Sequence, residues 1–302
     1  MSGMEEMEAR LKSRMDAMDR RLANRMASLD ARLGETTTVG IQKGVAVCAE
    51  SAGGRSATRR FAVCVGLRKV VYDSLAELPG CPIDVDRFAC ALEKMKFPNG
   101  SVVVLKDENA TCRAVYTAIL GAAETLESGD LFVLLVSGHG GRESWCLYDG
   151  KATNRQIVWM LSRFRKGVRI LIVNDQCHSG AFFAPKRDCE VSPFEIICRN
   201  DGCDDSWEPS VVWSSPDFPM VMQFASCRGE QQSADGLAGG SWTQALIDTL
   251  HQKLCVEGRR CSYGEWFDTA KLSPLLNHGE QDPECVESPN VVDSFRSAPA
   301  LT

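Results

Sequence analysis

The sequence has no apolar run long enough to cross a bilayer. Its longest, LFVLLV (131–136), has the length of a buried strand, as does ILIV (170–173). The N-terminus is charged throughout and lacks the apolar core of an export signal, so the expectation is a cytoplasmic protein that does not engage membranes. An excess of basic residues is missing too. Lys and Arg number 34 against 40 Asp and Glu, a net charge of −6, which argues against non-specific nucleic-acid binding. No GxGxxG or GxxxxGK follows an apolar strand, which weakens a nucleotide-binding reading. Without an export signal the 14 cysteines read as mostly reduced structural thiols, not a disulfide framework. Cys189, Cys198 and Cys203 fit no common zinc spacing. No metal ligand is assigned.

What the chain does contain falls into four stretches. Residues 1–34 carry an 11-residue repeat with apolar positions at 4, 7, 11, 15, 18, 22, 26, 29 and 33. This spacing keeps one Met- and Leu-rich stripe on a helix with coiled-coil character. Such a helix is marginal alone, so residues 4–33 read either as a self-association or partner-docking element or as a solvated helix held by ion pairs. Residues 35–57, rich in Gly, Ser and Thr, read as a linker.

From residue 58 to 273 strands and helices alternate. Strands are expected at 60–67, 101–105, 131–138, 168–175 and 219–226. Helices are expected over 84–95, over 111–127, and from a Thr153/Gln156 capping box to 164. Two more should be capped by Ser241 with Gln244 and by Ser262 with Glu265. Near-continuous apolar strands in such an order predict an α/β fold with a mainly parallel sheet covered on both faces. Residues 185–218 break the rhythm as a long loop, dividing a larger piece (58–184) from a smaller one (219–273). Residues 274–302 read as an irregular tail.

The chemistry gathers at two strand ends. LFVLLV runs into SGHGG, which sets His139 just past one strand. VRILIV runs into NDQCHSG, which sets Cys177 just past another. The segment between them holds one crossover, so the strands should be neighbours, and ligands in parallel sheets bind beyond the carboxyl ends of the strands. Glycines 138, 140, 141 and 180 permit close backbone approach. This is an arrangement for cysteine acyl transfer: Cys177 as nucleophile, His139 as acid–base partner, and the backbone N–H groups of Gly140 and Cys177 as an oxyanion hole. A buried, inert cysteine and a structural histidine are the competing reading. His178 is a weaker base candidate because adjacent side chains diverge in extended backbone. His251 and His278 read as incidental.

SGHGG followed by DQCHSG resembles the His and Cys motifs of metacaspases, a family of caspase-like cysteine peptidases. The likeness extends across about residues 58–270, through LPGCPIDVDRFACAL (78–92), FASCRGEQQSAD (224–235) and GGSWTQAL (239–246). It implies a caspase–haemoglobinase-like three-layer α/β sandwich of the type without a long linker between its two pieces; the N-terminal helix is not part of the family pattern. It also implies cleavage of protein or peptide substrates after Arg or Lys. The residues that would line the specificity pocket are Cys81, Asp84, Ser137 and Asp175, with Asp235 nearby. Carboxylates in a cleft favour a guanidinium or ammonium group independently of the resemblance.

Many metacaspases require calcium, held in part by paired aspartates between the two motifs. Here Thr153 and Asn154 stand where the pair would fall, and only Asp149 matches. A hard dication needs several oxygen ligands. The expectation is therefore no cofactor, with calcium ligands incomplete. The alternative to a peptidase is a catalytically silent metacaspase-like binding module.

Overall fold

The structure, a computed structural model, describes residues 58–71, 75–181 and 215–302. The N-terminal repeat, the linker expected at 35–57 and most of the long loop lie outside the described residues.

The central sheet has six strands: β1 (Arg60–Gly66), β2 (Val102–Lys106), β3 (Leu131–Ser137), β7 (Arg169–Asp175), β8 (Met220–Ala225) and β9 (Glu284–Glu287). They lie in the order β2-β1-β3-β7-β8-β9, parallel except for β9. A small antiparallel sheet, β4 (Gly140–Gly141), β5 (Ser144–Cys146) and β6 (Lys151–Thr153), follows β3.

The strands alternate their side chains between two cores. Phe61, Val63, Val65, Phe132, Leu134, Val136, Ile170 and Ile172 face α2 (Cys112–Thr125) and α3 (Asn154–Leu161). The opposite set faces α1 (Cys81–Lys94), α4 (Ser241–His251) and α5 (Tyr263–Ala270). It comprises Ala62 and Cys64 of β1, Leu131, Val133 and Leu135 of β3, Leu171 and Val173 of β7, and Met222 and Phe224 of β8. Sheet strands buried on both sides need apolar residues at every position, which explains the continuous runs in the sequence.

Several helix ends match their sequence signals. Thr153 and Gln156 form a reciprocal capping box on α3, Thr111 caps α2, and Ser262 accepts from the Glu265 N–H at the start of α5. Three expectations are corrected. Helix α1 begins at Cys81, three residues earlier than expected, because Pro82 suits a first helical turn. The N-cap of α4 is Gly240, not Ser241, and no side chain caps it. Residues 274–302 are not an irregular tail: they supply the edge strand β9 and the short helix α6 (Asp293–Ser297), which buries Phe295. Both are too short and too polar to show a period in the sequence.

Two buried tryptophans fix the helices that approach the strand ends. Trp242 donates from Nε1 to the Phe224 carbonyl of β8 (3.2 Å), and Trp266 donates to the Leu246 carbonyl of α4 (2.9 Å). The first of these anchors the N-terminus of α4 beside the carboxyl edge of the sheet. Among the described residues no helix is long and apolar enough to cross a membrane.

Candidate active site

Strands β3 and β7 are adjacent and parallel, with Ser137 and Asp175 paired as their last residues. His139 and Cys177 each follow two positions later, so both leave the sheet at the same edge. Two hydrogen bonds join the departing loops: Gly138 N–H to the Asp175 carbonyl (3.3 Å) and Gln176 Nε2 to the His139 carbonyl (2.7 Å). Gly140 packs so tightly there that a Cβ would sit 2.5 Å from the Cys177 carbonyl oxygen and 2.8 Å from Gln176 Cβ. Only glycine fits at that position.

A cavity of about 300 Å³ opens at this edge. It is lined by His139 and Cys177 together with Cys81, Ser137, Asp175 and Asp235. Asp84 lies directly behind, 1% exposed. The structure thus gathers every sequence-assigned side chain around one hollow. A larger open groove of about 1090 Å³, bordered by α4, α5 and α6, has no cysteine or histidine in its lining.

The His139 ring is oriented by a backbone group. Its Nε2 lies 2.6 Å from the Ala76 carbonyl oxygen. A carbonyl can only accept, so Nε2 carries the proton, and in the neutral ring Nδ1 is the basic nitrogen. Burial pushes the Cys177 thiol up; the Ser233 backbone, within hydrogen-bonding reach, opposes this, while Cys227 and the Asp175 charge add to it. His178 adopts a left-handed φ of 61° and turns away: its Nδ1 donates to the Gly229 carbonyl (2.9 Å), and its N–H to that of Gln231 (3.0 Å). It shapes the turn that follows the strand.

Two buried carboxylates are held by the N-terminus of α4. Asp84 accepts from Ser137 Oγ (2.7 Å) and, through both oxygens, from Gly240 N–H (2.9 and 3.0 Å). Asp175 accepts from Ser233 Oγ (2.5 Å) on Oδ1, and from Thr243 N–H (2.9 Å) and Thr243 Oγ1 (2.8 Å) on Oδ2. A Cβ on Gly240 would collide with Asp175 Oδ2, so the helix start can reach both acids only as glycine. Helix N-termini favour negative charge, yet burial outweighs that here. Burial first, and then the Asp175 charge, push Asp84 up to about 8. Burial likewise raises Asp175 and Asp235. Asp235 accepts from Gly80 N–H (3.3 Å) through Oδ2, and its Oδ1 is buried without a hydrogen-bond partner.

Ligand atoms of Cys81, Asp84 and Asp235 lie within 4.8 Å of one another, the one such group among the described residues. Burial drives the Cys81 thiol far up, so it stays protonated, and the cluster offers two carboxyl groups rather than a thiolate-based metal set. At the positions where the resemblance puts calcium ligands, the residues present do not make a set suited to a hard dication. Asp149 accepts the Cys112 N–H at the start of α2 (2.7 Å), and Thr153 caps α3. Asn154 adds no charge.

Sequence reasoning missed Ala76, Gln176, Ser233, Gly240 and Thr243. Ser233 and Thr243 lie inside the quoted motifs FASCRGEQQSAD and GGSWTQAL, but their facing of Asp175 depends on how the strand ends converge.

The caspase domain model matches residues 59–289. The chain belongs to the caspase-domain family of cysteine peptidases. It is similar to two Arabidopsis thaliana proteins, Metacaspase-8 (28% identical over 190 residues, 54% of this chain and 50% of that protein) and Metacaspase-4 (29% over 126 residues, 35% and 30%). The chain therefore spans half or less of these relatives' length. Protein GSU0716 from Geobacter sulfurreducens shares the fold, with a TM-score of 0.63 at 23% identity, covering 81% of this chain and 98% of that one. The mostly parallel, three-layer architecture is that of the caspase-like fold. In this metacaspase-like caspase domain the small sheet β4–β6 occupies the connection between the strand that carries His139 and the strand that carries Cys177.

Proposed function

We propose that the protein is a cysteine endopeptidase that cleaves peptide bonds after Arg or Lys and does so without a strong calcium requirement. One observation carries this reading: a thiol, an oriented imidazole and two carboxyl groups line one cavity, with the buried Asp84 behind them. The Arg or Lys side chain enters towards Asp84, Asp175 and Asp235, where its charge offsets their mutual repulsion and allows them to ionise. Each charge-assisted hydrogen bond contributes about 1.5–3 kcal/mol.

His139 Nδ1 takes the Cys177 proton, and the thiolate attacks the scissile carbonyl carbon. The C=O electron pair moves to oxygen, and the N–H groups of Gly140 and Cys177 hold that oxyanion. The intermediate collapses as the C–N bond breaks, and His139 returns the proton to the leaving amine. The resulting thioester is hydrolysed by a water that gives its proton to His139, which restores the Cys177 thiol. Cytoplasmic residence, and self-association or partner docking through residues 4–33, are proposed from the sequence pattern alone.

The test uses fluorogenic peptides ending in Arg, Lys or Asp, with calcium or with chelator. Cleavage of the Arg and Lys peptides alone, equal in both conditions and abolished by Cys177→Ala, supports the reading. Absence of cleavage by the intact protein would favour the silent binding module.

A further inference from the structure

The segment 277–284 lies outside every motif of the active site, yet it holds the strip 231–235, whose residues 232–235 wall the cavity. Gln231 Nε2 donates to the Gly279 carbonyl (3.1 Å) and to Asp282 Oδ2 (2.9 Å), and Asp282 N–H donates to Gln231 Oε1 (3.0 Å). Deeper in, Gln281 is 2% exposed and touches the pocket wall through both ends of its amide. The Ala234 N–H lies 3.2 Å from Gln281 Oε1, and Gln281 Nε2 lies 3.1 Å from Ser233 Oγ.

The direction of this chain is fixed by chemistry. A backbone N–H can only donate, so the atom facing Ala234 is the amide oxygen, and the NH₂ group must face Ser233. The NH₂ group fills a lone pair of Ser233 Oγ. The single hydroxyl hydrogen is then directed to Asp175 Oδ1, 2.5 Å away. Without Gln281 the hydroxyl is free to rotate off the carboxylate.

We propose that Gln281 is a positioning residue for the specificity pocket: by setting the direction of the Ser233 hydroxyl it holds the Asp175 carboxylate in place to receive a cationic substrate side chain. This inference rests on the Arg/Lys reading above. Gln281 touches no substrate; it acts through Ser233.

Three variants test it. Gln281→Met keeps the length of the side chain and removes both bonds. Gln281→Leu removes both bonds. Ser233→Ala removes the relay itself. KM for an Arg-ending peptide should rise about tenfold in each, roughly the value of one lost hydrogen bond, with kcat within about threefold. The dissociation constant for benzamidine, an amidinium probe that requires no turnover, should rise in parallel. In a Ser233→Ala background, Gln281→Leu should add less than about twofold, because both act on one path. Alkylation of Cys177 by iodoacetamide should keep its rate within about threefold, since the nucleophile's own surroundings are intact.

Unchanged KM and benzamidine affinity in Gln281→Met would overturn the proposal. So would independent, additive effects of the two sites, or a joint fall of kcat, alkylation rate and melting temperature, which is the mark of general support. If Gln281→Leu does not fold, Gln281→Met and Ser233→Ala decide. If the unmodified protein neither cleaves after Arg or Lys nor binds benzamidine, the functional reading fails and this inference fails with it. If the unmodified protein does both and the variants match it, only this inference fails.

Discussion

Asp84→Asn should stabilise the protein at pH 8 while weakening its recognition of arginine. Asp84 is 1% exposed, and burial together with the Asp175 charge moves its carboxyl from the ordinary 3.8 to about 8. At about 1.4 kcal/mol per tenfold change, full ionisation in the empty pocket costs at most about 6 kcal/mol. The sign follows from proton binding. Between about pH 4 and pH 8 the folded protein holds this proton and the unfolded chain does not, so the Asp84 contribution to stability is full below that window and is lost as pH rises through it. An asparagine resembles the neutral acid and does not titrate. Its carbonyl accepts from Gly240, and the Ser137 hydroxyl turns to accept from its NH₂ group.

The assay is thermal or urea unfolding of both proteins at pH 5 and pH 8. Near pH 5 the variant should lie within about 2 kcal/mol of the unmodified protein. At pH 8 it should be the more stable of the two, by up to several kcal/mol. At the same time kcat/KM for an Arg-ending peptide should fall about 10- to 100-fold, through loss of one charge-assisted hydrogen bond. Parallel stability curves for the two proteins from pH 5 to pH 8 would mean that Asp84 does not hold a proton in the folded state, and the burial argument would then be wrong.

Further outcomes follow from other contacts. Gly140→Ala drives a methyl group against the Cys177 carbonyl and should cost about 10²-fold or more in kcat by displacing an oxyanion donor, measured by steady-state kinetics. Gln176→Leu removes the bond to the His139 carbonyl and should lower kcat more than it changes KM, with the alkaline and acid limbs of the pH–rate profile shifted; an unchanged profile would count against a coupling between the two loops. Trp242→Ala should cost about 3–5 kcal/mol in urea unfolding, as it empties a fully buried site and releases the start of α4. Asp149→Ala should cost about 1 kcal/mol through loss of an acceptor at the start of α2, and should leave cleavage equally indifferent to calcium.

The sheet was legible because its strands are buried on both faces. LFVLLV has no polar position to obscure it and VRILIV only Arg169 near its start, and the crossover between them leaves room for one helix. The placement of His139 and Cys177 was legible for a related reason: both sit just past the ends of two parallel strands, and the strand-end position is written in the hydrophobic pattern, whereas Ser137 and Asp175 were assigned to the pocket through the family resemblance. The supporting contacts were not legible. Ser233 and Thr243 reach Asp175 from 58 and 68 residues away, and Gln281 lies 48 residues beyond Ser233. No periodicity connects such positions. Strand β9 was missed because four residues with two glutamates form an edge strand only when β8 is there to pair with them. The helix start at Gly240 was misread because Ser241 has a capping side chain, while the pocket demands a residue without one at the position that meets both carboxylates.

The proposed pairing of nucleophile and acidic pocket is probed in one step by covalent capture of Cys177 with a peptidyl-arginine chloromethyl ketone, read by mass spectrometry of the digested protein. One adduct is expected, on Cys177, formed with added chelator and far faster than with the matching aspartyl reagent, and slowed strongly by His139→Ala. Equal labelling by both reagents, or modification of another cysteine in place of Cys177, would contradict the assignment.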